Sequence, residues 1–107
     1  NATCTLTGVR EPELLRASHI IPWAACSSDQ ERLNVHNGLL LSALWDAAFD
    51  AGLVTFDDLG RSIASPKLGL DAREALGLEN VPPLPLSDQH RERLKWHRDN
   101  IWISAEG

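Results

Sequence analysis

The sequence predicts an α+β fold built from two short strands, a helix, a β-hairpin and a C-terminal helix. Residues 17–21 favour a strand that ends at Pro22, because proline cannot donate to a strand ladder. A second apolar strand, 39–41, follows the turn signal Asn37-Gly38. Residues 43–51 then carry apolar side chains at helical spacing. These three observations place two strands and a helix within one short span.

Bulk composition is that of an ordinary globular domain. The chain has 107 residues, of which 43% are hydrophobic and 23% charged, so we expect residues 1–107 to form a single domain. The formal net charge of −5 argues against a domain that grips nucleic acid through charge alone. A nucleic-acid partner would require a bound cation or a neighbouring domain to supply positive charge.

Cysteine spacing argues against a thiolate zinc site, because Cys4 and Cys26 belong to no CxxC pair and lack zinc-ribbon spacing. We expect two free thiols in a reducing cytoplasm rather than a disulfide. No apolar run approaches the roughly 20 residues of a membrane span, and no signal peptide is visible. The sequence contains no methionine, so we interpret it as excised from a larger protein, with Asn1 and Ala2 as a candidate cloning remnant.

The segments around the central strands carry weaker signals. Residues 3–10 are β-leaning, and 11–15 favour a single helical turn because Pro12 stands near its start. The polar connection 24–36 contains a candidate helix cap at 27–29. Ser42 is the predicted N-cap of the helix at 43–51, and Gly52 is well placed just beyond its end.

The second half of the chain is predicted to contain a hairpin, a short helix, an extended linker and a last helix. Residues 53–64 have the pattern of a β-hairpin, and 71–76 that of a short helix ended by Gly77. The proline-rich stretch 81–85 predicts an extended linker. Ser87 is the predicted cap of a last helix that ends near Asn100.

Asp46 and Asp50 are the first candidate functional residues. Four positions apart on a helix, their carboxylates project from one face, where like charges repel by a few tenths of a kcal/mol. A hard divalent cation between them would remove that repulsion. Taken alone, such a pair is more often a solvated helix face with an aspartate near the C-terminus of the helix.

His19 and Asn37 are the next candidates. An imidazole titrates near neutral pH and can take a proton from water, although a lone histidine among apolar residues is more often a core side chain. Asn37 stands before glycine, where it can serve as a turn residue or hydrogen-bond across a loop and stiffen it.

Together the motifs are more specific than their parts. The chain contains Ala17-Ser-His-Ile-Ile-Pro-Trp23, then Asn37-Gly-Leu-Leu-Leu41, then Asp46-Ala-Ala-Phe-Asp-Ala-Gly52. This pattern resembles the HNH endonuclease family, in the branch with an ASHI-x-PW strand and an NGLLL…D…FD-x-G helix. Cys4-Thr-Leu-Thr-Gly8 resembles the leading element of that branch. The hairpin after Gly52 and the closing Trp96-His-Arg98 and Ile101-Trp102 also fit it, so the resemblance covers most of the chain.

The resemblance implies a ββα-metal nuclease core, with the hairpin and C-terminal helix added to it. It assigns His19 as general base and Asn37 as the residue that holds the loop and positions that base. Asp46 falls where the family's second histidine usually stands, and Asp50 where some members place a further metal ligand. The expected substrate is DNA.

The sequence departs from the family pattern at two positions, and both departures affect which metal ion is expected. Ser18 stands where relatives often carry an acidic or histidine ligand, and Asp46 replaces a histidine. The resulting oxygen ligands favour Mg²⁺ or Mn²⁺ over Zn²⁺. Whether Ser18 or His36 takes part in the metal site stays open at this level.

The remaining basic and aromatic residues are interpreted either as substrate contacts or as structural residues. Arg16 and Arg32 are candidates to touch substrate phosphate or to pair with a local carboxylate. His97, on the predicted last helix, is expected to be structural. The four tryptophans are most simply explained as core or hinge packing: Trp23, Trp45, Trp96 and Trp102.

The sequence therefore predicts a cytoplasmic, metal-dependent DNA endonuclease module of a restriction-type protein. An N-terminal DNA-recognition domain is expected in the full protein. The alternative is a catalytically silent relative that keeps the fold for DNA binding or scaffolding.

Overall fold

Two antiparallel strands form the centre of the molecule, whose computed structural model describes residues 3–104. Strand β1 (Leu15–His19) pairs with β2 (Gly38–Ser42), so that His19 lies opposite Gly38. The candidate cloning remnant, Asn1 and Ala2, lies outside the described residues.

The first strand begins and ends two residues earlier than the sequence predicts. Pro22 is not the immediate cause, because Asn37 takes over the hydrogen bonds beyond His19. The backbone N–H of Ile20 donates to the carbonyl of Asn37 at 2.9 Å, and that of Ile21 donates to the Asn37 side chain at 2.7 Å. Ile20 and Ile21 are therefore outside the strand ladder but are still hydrogen-bonded to the residue that precedes β2.

Residues 3–10 form a turn rather than the predicted β-leaning segment. The N–H of Cys4 donates to the carbonyl of Val9 at 2.9 Å, and the N–H of Gly8 donates back to Cys4 at 2.8 Å. These bonds close the segment on itself, so no partner strand is required. The predicted helical turn that follows is present as the 3₁₀ turn Pro12–Leu14.

The polar connection between the two strands contains three short helical pieces. They are a 3₁₀ turn at Trp23–Ala25, helix α1 (Asp29–Arg32) and a 3₁₀ turn at Val35–Asn37. The hydroxyl of Ser28 accepts from the N–H of Glu31 at 3.1 Å, so a cap lies within the predicted 27–29 segment. The connection is thus folded over the end of the strand pair.

Helix α2 (Ala43–Asp50) begins directly after β2, because Ser42 is both the last strand residue and the predicted N-cap. Gly52 follows the helix with a φ of 76°. A side chain at Gly52 would collide with the carbonyl oxygen of Ile101, while the Gly52 carbonyl accepts from the N–H of Ile103 at 2.8 Å. Glycine is needed at this position for both conformation and space.

The second half of the chain agrees with the predicted hairpin and two helices. Strands β3 (Val54–Phe56) and β4 (Ser62–Ala64) pair antiparallel, and helices α3 (Leu70–Leu76) and α4 (Asp88–Asn100) follow. Residues 81–85 have no regular structure. Ser87 caps α4 in a reciprocal arrangement in which the His90 ring accepts from the Ser87 N–H at 3.2 Å.

The core lies between α2, the hairpin β3–β4 and α4. Trp45 and Phe49 of α2 are fully buried against Phe56, with Leu94 of α4 completing the centre. Cys4 and Cys26 are buried free thiols, as predicted. Within residues 3–104 no helix is long and apolar enough to cross a bilayer. The architecture is therefore the predicted α+β fold with a ββα centre.

Candidate functional site

A groove lies between the end of β1 and the exposed side of α2. Its volume is about 310 Å³. The residues that line it come from β1, the turn after it and α2: Arg16, Ala17, His19, Pro22, Trp23, Asp46 and Asp50. The fold thus brings His19, Asp46, Asp50 and Arg16, four of the six sequence-predicted site residues, to one surface.

The direct junction of β2 with α2 explains why the two carboxylates reach this groove. β2 is hydrogen-bonded to β1 along its whole length, so the start of α2 is fixed relative to His19. Trp45 and Phe49 fill the core side of α2. Asp46 and Asp50, each one position further along, are consequently turned toward the groove.

Both Asp46 and His19 act electrostatically on the carboxyl group of Asp50. Partial burial and then the negative charge of Asp46 raise the pKa of Asp50, although the residue as a whole remains exposed. The positive charge of protonated His19 acts on the same carboxyl in the opposite direction. A site that disfavours a second carboxylate is one in which a cation would be stabilised.

His19 is half-buried at the end of β1. Its ring meets that of Trp23 edge to face, with centroids 5.5 Å apart. No hydrogen bond to the imidazole is found among residues 3–104, so both ring nitrogens remain available to a water or a substrate.

Asn37 does not line the groove, but it holds the chain that leaves His19. The side chain is completely buried. Its Oδ1 accepts from the N–H of Ile21 at 2.7 Å, and its Nδ2 donates to the carbonyl of Ile21 at 3.1 Å. Because one amide satisfies both backbone groups of Ile21, the position of the preceding residues is fixed from two directions.

The two candidate arginines have different surroundings. Arg16 lines the groove, and its guanidinium donates to the carbonyls of Glu13 at 3.1 Å and Leu15 at 2.8 Å. Arg32 lies beside the groove and is paired with Asp29 at 2.7 Å. The structure thus contains the local ion pair that the sequence left as the alternative for Arg32.

Ser18 and His36 face away from this groove. Ser18 is 1% exposed, and its hydroxyl is buried without a partner in residues 3–104. The His36 ring lies 3.2 Å from the hydroxyl of Ser87 and packs on His90 at the start of α4. Neither residue lines the groove that contains Asp46 and Asp50.

Trp23 is the groove residue that the sequence interpretation misplaced. The prediction of core or hinge packing holds for Trp45, which is 1% exposed, but Trp23 is 54% exposed. The available signal was its position directly after Pro22, since proline lacks the N–H that a strand ladder requires and is rare within a sheet.

The donor set of the groove limits which metal it fits. No group of three or more ligating side chains converges within residues 3–104. Two carboxylates on adjacent helical turns suit Mg²⁺ or Mn²⁺, because such ions are commonly held by one or two carboxylates together with waters and substrate phosphates. The residues present would therefore supply two oxygen ligands to a hard cation.

Comparison with known families agrees with this geometry. A family model described as HNH endonuclease matches residues 4–57, which include both central strands, α2 and β3. No curated protein matches the chain. The match covers half of the sequence and contains every candidate residue discussed above for the groove, which indicates a nuclease or nucleic-acid-related function. The chain belongs to the HNH endonuclease family.

Proposed function

We propose that this domain is a metal-dependent endonuclease that hydrolyses DNA phosphodiester bonds. The observation that carries the proposal is the shared groove, which is lined by two carboxylates that repel each other and by an imidazole with no hydrogen bond from residues 3–104. Within the family, we assign the chain to the branch with ASHI-x-PW and NGLLL…D…FD-x-G motifs.

His19 acts as the general base in this proposal. The imidazole would accept a proton from the attacking water through one of its ring nitrogens. Asn37 is a positioning residue, because it fixes Ile21 and thereby the strand end that carries His19. Burial of the Asn37 amide keeps water from competing for those hydrogen bonds.

Asp46 and Asp50 would hold the divalent ion, Mg²⁺ or Mn²⁺. When bound, the ion supplies charge stabilisation to the phosphate and to the leaving oxygen. The two carboxylates would supply two oxygen ligands from α2, and a bound cation would relieve their mutual repulsion.

Arg16 is the proposed phosphate contact. Two backbone carbonyls accept from the same terminal nitrogen of its guanidinium, Nη1. They hold the side chain at the groove and leave other N–H donors of its fork for phosphate oxygens. Arg32 is a weaker candidate for this role, because Asp29 already neutralises it.

The wider context is also part of the proposal. A net charge of −5 gives the domain little electrostatic attraction for DNA. An N-terminal DNA-recognition domain in a restriction-type protein would supply the missing affinity, and this module would supply the chemistry.

Nicking of a supercoiled plasmid tests the proposed activity. The chain is incubated with Mn²⁺ or Mg²⁺, with EDTA, and with EDTA followed by excess metal. We expect relaxation of the plasmid only when free metal is present. Equal nicking in EDTA would contradict metal dependence. No nicking with either metal, also after fusion to a DNA-recognition domain, would contradict the nuclease proposal and favour the silent scaffolding alternative.

A further inference from the structure

Trp23 is an exposed aromatic side chain at the edge of the proposed active site. Of the four tryptophans it alone is exposed, at 54%, although Pro22 and the turn Trp23–Ala25 fix its backbone. Its ring touches the His19 ring and lines the groove. A ligand bound in this groove therefore lies within reach of the indole.

Arg32 supports Trp23 from the protein side. Its Cζ lies 5.4 Å from the centroid of the indole, and its Nε donates to the Trp23 carbonyl at 2.9 Å. Nη1 is bonded to Asp29 at 2.7 Å. With the guanidinium fixed in this way, the indole loses little conformational freedom when a ligand covers its open surface.

Charge cannot supply much of the affinity at this end of the groove. Asp29 pairs with Arg32, while Asp46 and Asp50 add negative charge nearby. Stacking of a nucleobase on an aromatic ring is independent of net charge and contributes about 1–3 kcal/mol per base. Trp23 therefore offers the kind of contact that an acidic nucleic-acid-binding domain needs.

The accessible partner for such a ring is a base outside a regular duplex. In a paired duplex both faces of each base are covered by neighbouring bases, whereas an unpaired or extruded base has a free face. Because Trp23 adjoins His19, a base stacked on it would belong to a nucleotide next to the phosphate that is cut.

We propose that Trp23, supported by Arg32, binds an unpaired nucleobase that flanks the scissile phosphate. The substrate class that follows is single-stranded or locally unpaired DNA. The assignment rests on the proposed nuclease function for the role of His19 in cleavage, but the stacking surface itself can be tested without cleavage.

Binding in EDTA tests the stacking surface by itself. Fluorescence anisotropy compares three labelled DNAs of one sequence: single-stranded, fully paired, and paired with one bulged base. Trp23→Leu keeps apolar bulk beside His19 but removes the ring, and Trp23→Phe keeps a smaller ring. Leu70→Ala, at a side chain that is 83% exposed on α3 outside the groove, is the matched control.

We expect Trp23→Leu to weaken binding of the single-stranded and bulged DNAs by about 5- to 150-fold. Its effect on the fully paired DNA should be small, Trp23→Phe should retain most of the affinity, and Leu70→Ala should match the wild type. Quenching of tryptophan fluorescence by the bulged DNA should disappear in Trp23→Phe. Equal weakening on all three DNAs, or no weakening in Trp23→Leu, would overturn the proposal.

The same proteins with Mn²⁺ separate this inference from the proposed function. Binding of bulged DNA that depends on Trp23, without cleavage of any DNA, would leave the stacking surface standing and reject the nuclease. Cleavage with an unchanged KM in Trp23→Leu would reject the stacking surface and leave the nuclease standing.

Discussion

Helix α2 has a histidine on each of its two sides, and the two histidines differ in burial and in hydrogen bonding. On the core side, Phe49 stacks on His97 with ring centroids 3.8 Å apart, and His97 is 1% exposed. On the groove side, Asp50 faces His19, which is half-buried and without a hydrogen bond to its ring within residues 3–104. Adjacent residues of one helix thus separate a structural site from a candidate catalytic one.

His97 has no capacity left for chemistry. Its Nε2 lies 2.9 Å from the carbonyl oxygen of Phe49, which can only accept, so this nitrogen carries the proton. Nδ1 then accepts from the hydroxyl of Thr55 at 2.8 Å. Burial is the main cause that lowers the pKa of His97, to about 4. The comparison teaches that hydrogen-bond satisfaction, rather than the presence of histidine, identifies the candidate base.

Removing the groove histidine should produce the largest effect on function. We expect His19→Ala to lower the rate of metal-dependent plasmid cleavage by about 10²–10⁴. The unfolding midpoint in urea should change little, because the ring is half-buried and has no hydrogen bond to any of the residues 3–104. Single-turnover cleavage and urea denaturation measure the two quantities on the same preparation. Unchanged metal-dependent cleavage would remove His19 from its proposed role.

Lowering the pH should reduce the stability of the folded protein through the buried histidine, His97. The unfolded chain takes up a proton on this residue near pH 6.5, whereas the folded protein does so only near pH 4. Between these values the unfolded state binds more protons, so the free energy of unfolding falls as the pH falls. The contribution of His97 to this loss is about 3 kcal/mol from pH 7 to pH 4.

Urea unfolding at several pH values gives the free energy of unfolding as a function of pH for wild type and for His97→Gln. The contribution of His97 is the difference between the pH dependences of the two proteins. Hydrogen bonds from Arg93 lower the pKa of Glu31, so Glu31 also makes stability depend on pH. This contribution is the same in both proteins and cancels in the difference. The variant should lose distinctly less stability across the same interval. Parallel curves for the two proteins would contradict the assignment of a buried neutral imidazole.

The smallest expected effect concerns the carboxylates that face His19. Asp50→Asn removes a like-charge pair spaced four residues apart, so the metal-free protein should gain a few tenths of a kcal/mol. Mn²⁺ should raise the melting temperature of the wild type, because a ligand that binds only the folded state stabilises it. Asp50→Asn should lose most of that rise.

Asp71→Asn, an exposed carboxylate on α3, is the control for that measurement and should keep the full response to Mn²⁺. Thermal unfolding by circular dichroism, with and without Mn²⁺, measures all three proteins. An identical response of Asp50→Asn and wild type would show that this carboxylate does not hold the ion.

Much of the fold could be predicted from local sequence signals. Ser42 and Ser87 fix where helices begin, and Gly52 and Gly77 fix where helices end, because caps and left-handed residues act within one turn of the chain. The end of β1 was missed for the opposite reason. It depends on Asn37, sixteen positions along from Ile21, and no local pattern reports such a bond.

The candidate site was predictable in its residues and only partly in its environment. Motif resemblance selected His19, Asp46 and Asp50, and periodicity placed the aspartates on one face. The exposure of Trp23 and the pairing of Arg32 with Asp29 depend on how the connection between the strands folds. That connection consists of short helical pieces whose arrangement is set by tertiary contacts rather than by propensity.

The buried amide of Asn37 also bears on how the protein ages. Asparagine followed by glycine is chemically fragile, because the glycine nitrogen can attack the side-chain amide and close a five-membered imide. Here the Gly38 N–H is engaged with the carbonyl of Val35, and both ends of the Asn37 amide are bonded to Ile21. The folded state therefore protects this Asn-Gly pair from imide formation, which should proceed mainly while the chain is unfolded.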